Sequence, residues 1–273
     1  MSFFNMRYDR PGPGVSKDEK PKSAPGRFLE IYTRKFWYLV RLNLLYAVFC
    51  ILFCIPLVFA VSAHIVGSWL FYLCTLPIIF TGPFTAGFVY ELRDFARERP
   101  SFIWGDFKDA ARQNWKQALA ASAIAVVGFD CLGVLLQFYS ALLGTQRIAY
   151  FLLAFLCFGG LLFLFMQYYV FLIIVTFEMR LKDVYRNALI FAFAGIGRNV
   201  LVTVLSAVIL FVTCILVPPL LVLFPFITAG TIGLLVNFTV WPLVKKHMID
   251  PHAGQPSAPA AEEPIFKDPD PKR

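Results

Sequence analysis

The basic residues of this chain keep out of its apolar runs, and their spacing restricts the fold to a bundle threaded through a membrane. Of 25 Lys and Arg residues, nine lie up to Arg41, six from Arg93 to Lys116, four from Arg180 to Arg198 and five from Lys245 on, with Arg147 alone between the second and third groups. Residues 42–90, 148–177 and 199–244 contain no Asp, Glu, Lys or Arg, and 117–146 contains only Asp130. A span needs about 20 residues, so 42–90 and 199–244 can each hold a hairpin. Two crossings in each put 24 basic residues on one side and Arg147 on the other. A single crossing of 42–90 would divide them 15 to 10, and a single crossing of 199–244 would divide them 19 to 6. The excess of basic residues marks the cytosolic side. The expectation is an all-α polytopic transmembrane bundle of about six spans, in three hairpins, with both termini cytosolic.

The spans are expected near 38–61, 66–90, 117–143, 148–177, 200–217 and 221–243, inside a transmembrane domain at 36–246. Pro56, Pro77, Gly82-Pro83, Pro218-Pro219 and Pro225 should bend several of them. Such breaks are tolerated only where protein or water satisfies the freed carbonyls. Residues 1–35 (a basic, Pro- and Gly-rich lead) and 247–273 are too polar to bury a core of their own and are expected as flexible cytosolic tails. No cleavable leader is evident, because the first apolar run begins near Phe36 and is too long for a signal core.

Two connections are amphipathic. In 101–116, Trp104, Phe107, Ala111 and Trp115 recur at helical spacing, with Asp106, Lys108, Asp109, Arg112 and Gln113 on the other faces. In 178–198, Leu181, Val184, Tyr185, Ala188 and Ala192 form a similar stripe, and Glu178 and Lys182 stand at i, i+4. Both are expected as cytosolic helices lying at the headgroups. Trp37, Trp104, Phe107, Trp115 and Trp241 are the expected interface anchors.

The composition, 59% hydrophobic and 17% aromatic with 15% charged residues, excludes an ordinary soluble domain. The formal charge of +8 flanks apolar runs and forms no basic domain, so it fits anionic headgroups and not nucleic acid. The six cysteines all lie in apolar runs without a CxxC, as small hydrophobes do. His64 falls in an outer turn, and His247 and His252 open the C-terminal tail. No phosphate loop, zinc helix motif or nucleophile elbow occurs. The sequence therefore points to no enzyme, cofactor or metal.

Several segments carry a family resemblance: Arg41-Leu-Asn-Leu-Leu45, Leu76-Pro-Ile-Ile-Phe-Thr-Gly-Pro-Phe-Thr-Ala-Gly87, Trp104-Gly-Asp-Phe107, Asn114-Trp-Lys-Gln117 and the stretch 177–188. In this order and spacing the chain resembles the YesL-type family of bacterial membrane proteins with a domain of unknown function, over roughly 36–246. About twenty residues around 58–74 look inserted relative to that family's short first hairpin. The resemblance implies a multi-pass protein of a bacterial plasma membrane with a transport-associated role in carbohydrate uptake. It supplies no catalytic residues. The partners expected are the lipid bilayer, subunits of a sugar uptake system or a second copy of the chain.

Asn43, Gln167 and Asn237 are amides within the spans, suited to interhelical hydrogen bonds worth about 1 kcal/mol each. Asp130 is ionisable. Fourteen residues beyond Lys116 it stands about 21 Å up a helix, past the middle of a hydrocarbon core about 30 Å thick. An aspartate near the helix centre costs about 2.5 to 3.5 kcal/mol. Gln137 follows on the same face, so the pair forms a candidate intramembrane polar site. It either lines a water-accessible cavity for a polar ligand or proton, or fixes helix packing through a protonated or hydrogen-bonded carboxyl. Two functions stay open: a transport-associated accessory component or small permease, and a non-transporting scaffold that recruits partners through its cytosolic helices and tails.

Overall fold

The computed structural model describes residues 23–213 and 224–250. The expectations for 1–22, for 251–273 and for the segment holding Cys214 and Pro218-Pro219 lie outside them. The described residues form α1 (Ala24–Arg34), α2 (Phe36–Ser62), α3 (Trp69–Thr75), α4 (Gly82–Ala96), α5 (Ile103–Gln113), α6 (Trp115–Ala141), α7 (Arg147–Ile174), α8 (Leu181–Ala194), α9 (Ile196–Phe211) and α10 (Ala229–Val244). A 3-10 turn, Leu76–Thr81, joins α3 to α4, so that 69–96 runs on as one long helical segment.

Five helical segments are long and apolar enough to cross a bilayer: Phe36–Ser62, Trp69–Ala96, Trp115–Ala141, Arg147–Ile174 and Phe226–Ile249. The pair α8 and α9, bent by 88°, makes a sixth if it counts as one span. The chain is thus a multi-pass all-α membrane protein. Its second helix outruns the expected end at Tyr90 by a turn and a half. The fifth expected span corresponds to α9 as far as Phe211, and residues 214–217 fall outside the described set.

Local chemistry explains the 3-10 interruption and the one sharp bend. Pro77 and Pro83 cannot donate to the helix ladder, and threonines hydrogen-bond the neighbouring carbonyls. Thr75 Oγ1 lies 2.7 Å from the Tyr72 carbonyl, Thr81 Oγ1 donates to Ile78 O at 2.7 Å, and Thr85 Oγ1 donates to Thr81 O at 3.0 Å. At Gly82 any Cβ would strike the Ala118 carbonyl, so the α4 and α6 backbones pass in direct contact there. The 88° turn between α8 and α9 is built at Gly195, where an added Cβ would lie 2.6 Å from the Tyr169 hydroxyl. Asn199 holds that corner. Its Nδ2 donates to the Ala192 carbonyl at 3.1 Å, and its Oδ1 accepts from Tyr169 Oη at 2.7 Å.

The N-terminal lead differs from expectation over 24–34. Ala24–Arg34 is a helix, and its Ile31 is buried beside Leu39, Leu92 and Phe95. Tyr32 and Phe28 reach α10, through a 3.2 Å contact between the Tyr32 and Thr231 hydroxyls and an edge-to-face pair with Phe238. α1 therefore belongs to the bundle.

The core is concentrated at the end of the bundle where α1, α5 and α8 gather. One cluster joins α7, α8 and α10 through Tyr169, Leu172, Val184, Phe191 and Val244. A second joins α1, α2, α4, α5 and α10. Towards the opposite end α2 leaves Val48, Ile51, Leu52, Ile55, Val58 and Phe59 exposed, as a helix against lipid can. That end turns at His64 and Gly67, then at Gly144. His64 adopts a left-handed φ of 55° and closes α2, with Ile65 N bonded to Ala60 O and His64 N to Val61 O.

Candidate functional site

The last two turns of α4 carry the densest polar chemistry among the described residues. Glu91, Arg93 and Asp94 stand on a helix that is apolar up to Tyr90, yet they are 0%, 6% and 7% exposed. Burying such charges is costly unless they are paired and hydrogen-bonded. Arg93 meets that requirement on three sides. Its Nε donates to Asp94 Oδ1 at 3.0 Å, its Nη1 donates to the Val175 carbonyl at 2.7 Å, and its guanidinium lies 4.2 Å from the Tyr90 ring centroid. Val175 is the C-cap of α7, so Arg93 satisfies a carbonyl that the end of that helix leaves open. Glu91 accepts a short hydrogen bond from Ser101 Oγ through one carboxylate oxygen, and its Oε1 has no partner among the described residues.

The network continues outward. Arg97 Nη1 is 3.9 Å from Asp94 Oδ1, and its guanidinium covers Trp241 of α10 at 4.4 Å. Partial burial, with Arg99 and Arg93 nearby, lowers the Arg97 pKa from its ordinary value. Glu98 follows in the left-handed region at φ 58° and ends α4, with Arg99 N bonded to Asp94 O and Glu98 N to Phe95 O. Glycine usually takes that position. Here a carboxylate occupies it and binds Arg34 in a short ion pair and Arg27 at 3.1 Å, both on α1. The Arg34 hydrogen bond is the main influence holding the Glu98 carboxyl below its usual range. This charged end of α4 thus clamps α1, α7 and α10 together.

Asp130 and Gln137 lie as expected on one face of α6, and that face meets α3. Thr75 Oγ1 is 2.6 Å from Asp130 Oδ2, and Thr75 is buried. Two turns on, Gln137 packs against Gly67, where a Cβ would lie 2.8 Å from its Nε2. The two residues are therefore brought to one seam, Asp130 half-buried against Thr75 and Gln137 exposed beside Gly67.

The expected interface anchors separate. Trp37, Trp104 and Trp115 are exposed, Trp104 at 55%. Phe107 is 2% exposed, packed on Gly87 of α4 and 6.1 Å from the Phe49 ring. Its side chain therefore sits in the core and not at the headgroups, because Gly87 opens a slot for it. Trp241 is partly covered by Arg97. The α8 stripe likewise turns inward, with Val184, Ala188 and Ala192 buried, while Leu189, Ile190 and Phe193 are exposed. Glu178 precedes the start of α8, so the expected helical pair with Lys182 has no common helix to stand on. His247 is tied into the bundle beside the Leu243 carbonyl and the Phe191 ring. Among the amides, Asn43 bonds between helices, accepting from Gly230 N at 2.6 Å and donating to Ile227 O at 3.3 Å. Asn237 and Gln167 donate to their own helices, and each has a buried oxygen with no partner among the described residues.

With this geometry in place, comparison with known proteins adds one result. Residues 39–135 match the model of a family described as "Protein of unknown function, DUF624". The matched stretch runs from α2 into α6. It includes the charged end of α4, all of α5, and the Asp130–Thr75 contact. Gln137 and α7 to α10 lie beyond it, including the stretch 177–188 that also carries the resemblance. No curated protein and no solved structure matches the chain. Among the described residues no group of three or more His, Cys, Asp or Glu could hold a metal ion.

Proposed function

We propose that the protein is an accessory membrane component of a carbohydrate uptake system, acting with partners and not as a carrier by itself. The observation that carries this reading is the setting of Asp130. A self-sufficient coupled carrier usually presents several ionisable groups to a water-filled path. Here Asp130, half-buried, is tied to Thr75 of α3 at 2.6 Å, and the charges of α4 are engaged in holding helices together. The link to carbohydrate uptake rests on the family resemblance. The orientation that accompanies it, with both termini and the connections 91–116 and 178–199 in the cytosol, rests on the distribution of basic residues.

The test pairs cells with purified protein. A deletion strain should lose uptake of at least one labelled sugar, and Asp130→Asn should restore it as well as the wild type does. Proteoliposomes holding this chain alone should accumulate none. Transport by the chain alone would establish a carrier, and unchanged uptake across the sugar panel in the deletion strain would remove the transport role. A second reading, a scaffold that assembles partners, is favoured by the collar of α1, α5 and α8 gathered at one end. Co-purification of envelope-assembly proteins in place of uptake subunits would select it.

A further inference from the structure

Where α1 turns into α2, a shallow cleft of about 400 Å³ is lined by Arg34, Lys35, Tyr38, Glu98 and Pro100. We infer that this cleft binds the phosphate of an anionic phospholipid headgroup. The lining carries two cations against one carboxylate, and that carboxylate is already held by Arg34 and Arg27. Lys35 forms no ion pair among the described residues. Its ammonium is instead held 5.1 Å from the Tyr38 ring centroid and 5.4 Å from that of Phe95, which fixes the charge without neutralising it. The exposed Tyr38 hydroxyl has no hydrogen-bond partner among the described residues and can donate to the same oxygen atoms.

Position selects a lipid as the source of the phosphate. α2 leaves the cleft as a 27-residue apolar helix able to cross the bilayer, so the cleft lies at headgroup depth. Trp37, 70% exposed, lies between the lining residues Lys35 and Tyr38 in sequence and can meet the upper acyl carbons. Basic pockets between membrane helices bind anionic headgroups in this way.

The experiment uses the full chain in neutral detergent micelles, titrated with phosphatidylglycerol or with phosphatidylcholine of the same chains and read by native mass spectrometry. Phosphatidylglycerol should bind saturably and phosphatidylcholine should not. Lys35→Gln should weaken binding about fivefold, the worth of one surface cation near anionic lipid. Lys35→Arg should retain it, and Tyr38→Phe should weaken it by less. Lys108→Gln, at an exposed lysine of α5, should change nothing. Millimolar inorganic phosphate should not displace the lipid. Equal losses in Lys35→Gln and Lys108→Gln would reduce the cleft to diffuse charge and overturn the assignment. Displacement by free phosphate would make it a soluble-anion site, and equal binding of both lipids would also overturn it. If Lys35→Gln does not fold, Lys35→Arg and Tyr38→Phe still decide, and full binding by Tyr38→Phe together with loss in Lys35→Arg would contradict the assignment.

Discussion

Replacing Arg93 with methionine keeps the side-chain bulk and removes the charge that joins α4 to α7. The variant loses the 3.0 Å bond to Asp94 and the 2.7 Å bond to the Val175 carbonyl. It also loses the guanidinium over Tyr90. Removing one partner of a buried ion pair costs about 3–5 kcal/mol, chiefly because the other charge stays buried and alone. Arg97 remains 3.9 Å from Asp94 and offers partial compensation, so Arg93→Met should sit at the lower end, about 3 kcal/mol. The double variant Arg93→Met, Asp94→Leu leaves no buried carboxylate alone, and the half-buried Arg97 loses only a partner 3.9 Å away. It still orphans the Val175 carbonyl, which costs about 1–3 kcal/mol. The double variant should therefore be more stable than the single one. Unfolding by a denaturing detergent in mixed micelles, followed by circular dichroism, measures both. The reasoning fails if Arg93→Met unfolds with the wild type, or if the double variant is no more stable than Arg93→Met.

Asn199→Ala strands the buried Tyr169 hydroxyl and the carbonyls at the end of α8, and should cost about 1–3 kcal/mol in the same unfolding assay; a loss under about 0.5 kcal/mol would show that the corner does not depend on it. Acidification should loosen α1, because the Glu98 carboxyl is depressed in the folded state, mainly by its Arg34 hydrogen bond. Its stabilising effect is present above the ordinary carboxylate value, about 4.3, and is lost as pH falls below that. The effect is small, since the pair is exposed and screened by salt. Protection of 24–34 from hydrogen exchange, taken relative to the intrinsic rate at each pH, should therefore fall below pH 4, and a change confined to pH 6–8 would point to another group. Single cysteines at Gln113 and Thr145 in a cysteine-free background test the orientation: an impermeant thiol reagent on intact cells should label Thr145, and labelling of Gln113 would reverse it.

The architecture was legible because lipid imposes simple rules. Stretches without charge have to cross, and basic residues are retained on one side, so α2, α6 and α7 begin and end within a few residues of the sequence reading. The reading was weakest where a helix keeps its geometry after its hydrophobicity ends. α4 continues past Tyr90 because Glu91, Leu92, Arg93 and Ala96 are good helix formers and 91–96 is buried against protein, and charge marks the edge of the lipid, not the end of a helix. α1 was hidden for a similar reason. Its Pro- and Lys-rich surroundings suggest a tail, but Phe28, Ile31 and Tyr32 stand at i, i+3 and i+4, which is the spacing of a docking face.

The candidate site was legible only in part. Asp130 stood out as a lone charge in an apolar run, but its partner Thr75 is 55 residues away and neutral, and no local pattern announces such a pair. The charged end of α4 did leave a signal. Glu91, Arg93, Asp94, Arg97, Glu98 and Arg99 balance three against three within nine residues, and Asp94 stands at i+3 from Glu91 and at i−3 from Arg97. A connection whose task is to stay beside anionic headgroups would be expected to carry excess positive charge, as 108–116 does with Lys108, Arg112 and Lys116 against Asp109. Neutrality at helical spacing instead fits charges that satisfy one another away from water. The two amphipathic stripes carried the opposite lesson. Apolar periodicity shows that a helix has something to cover, but lipid and protein are equally good covers for a phenylalanine, and only Gly87, a position with no side chain to fill the slot, decides that Phe107 turns inward.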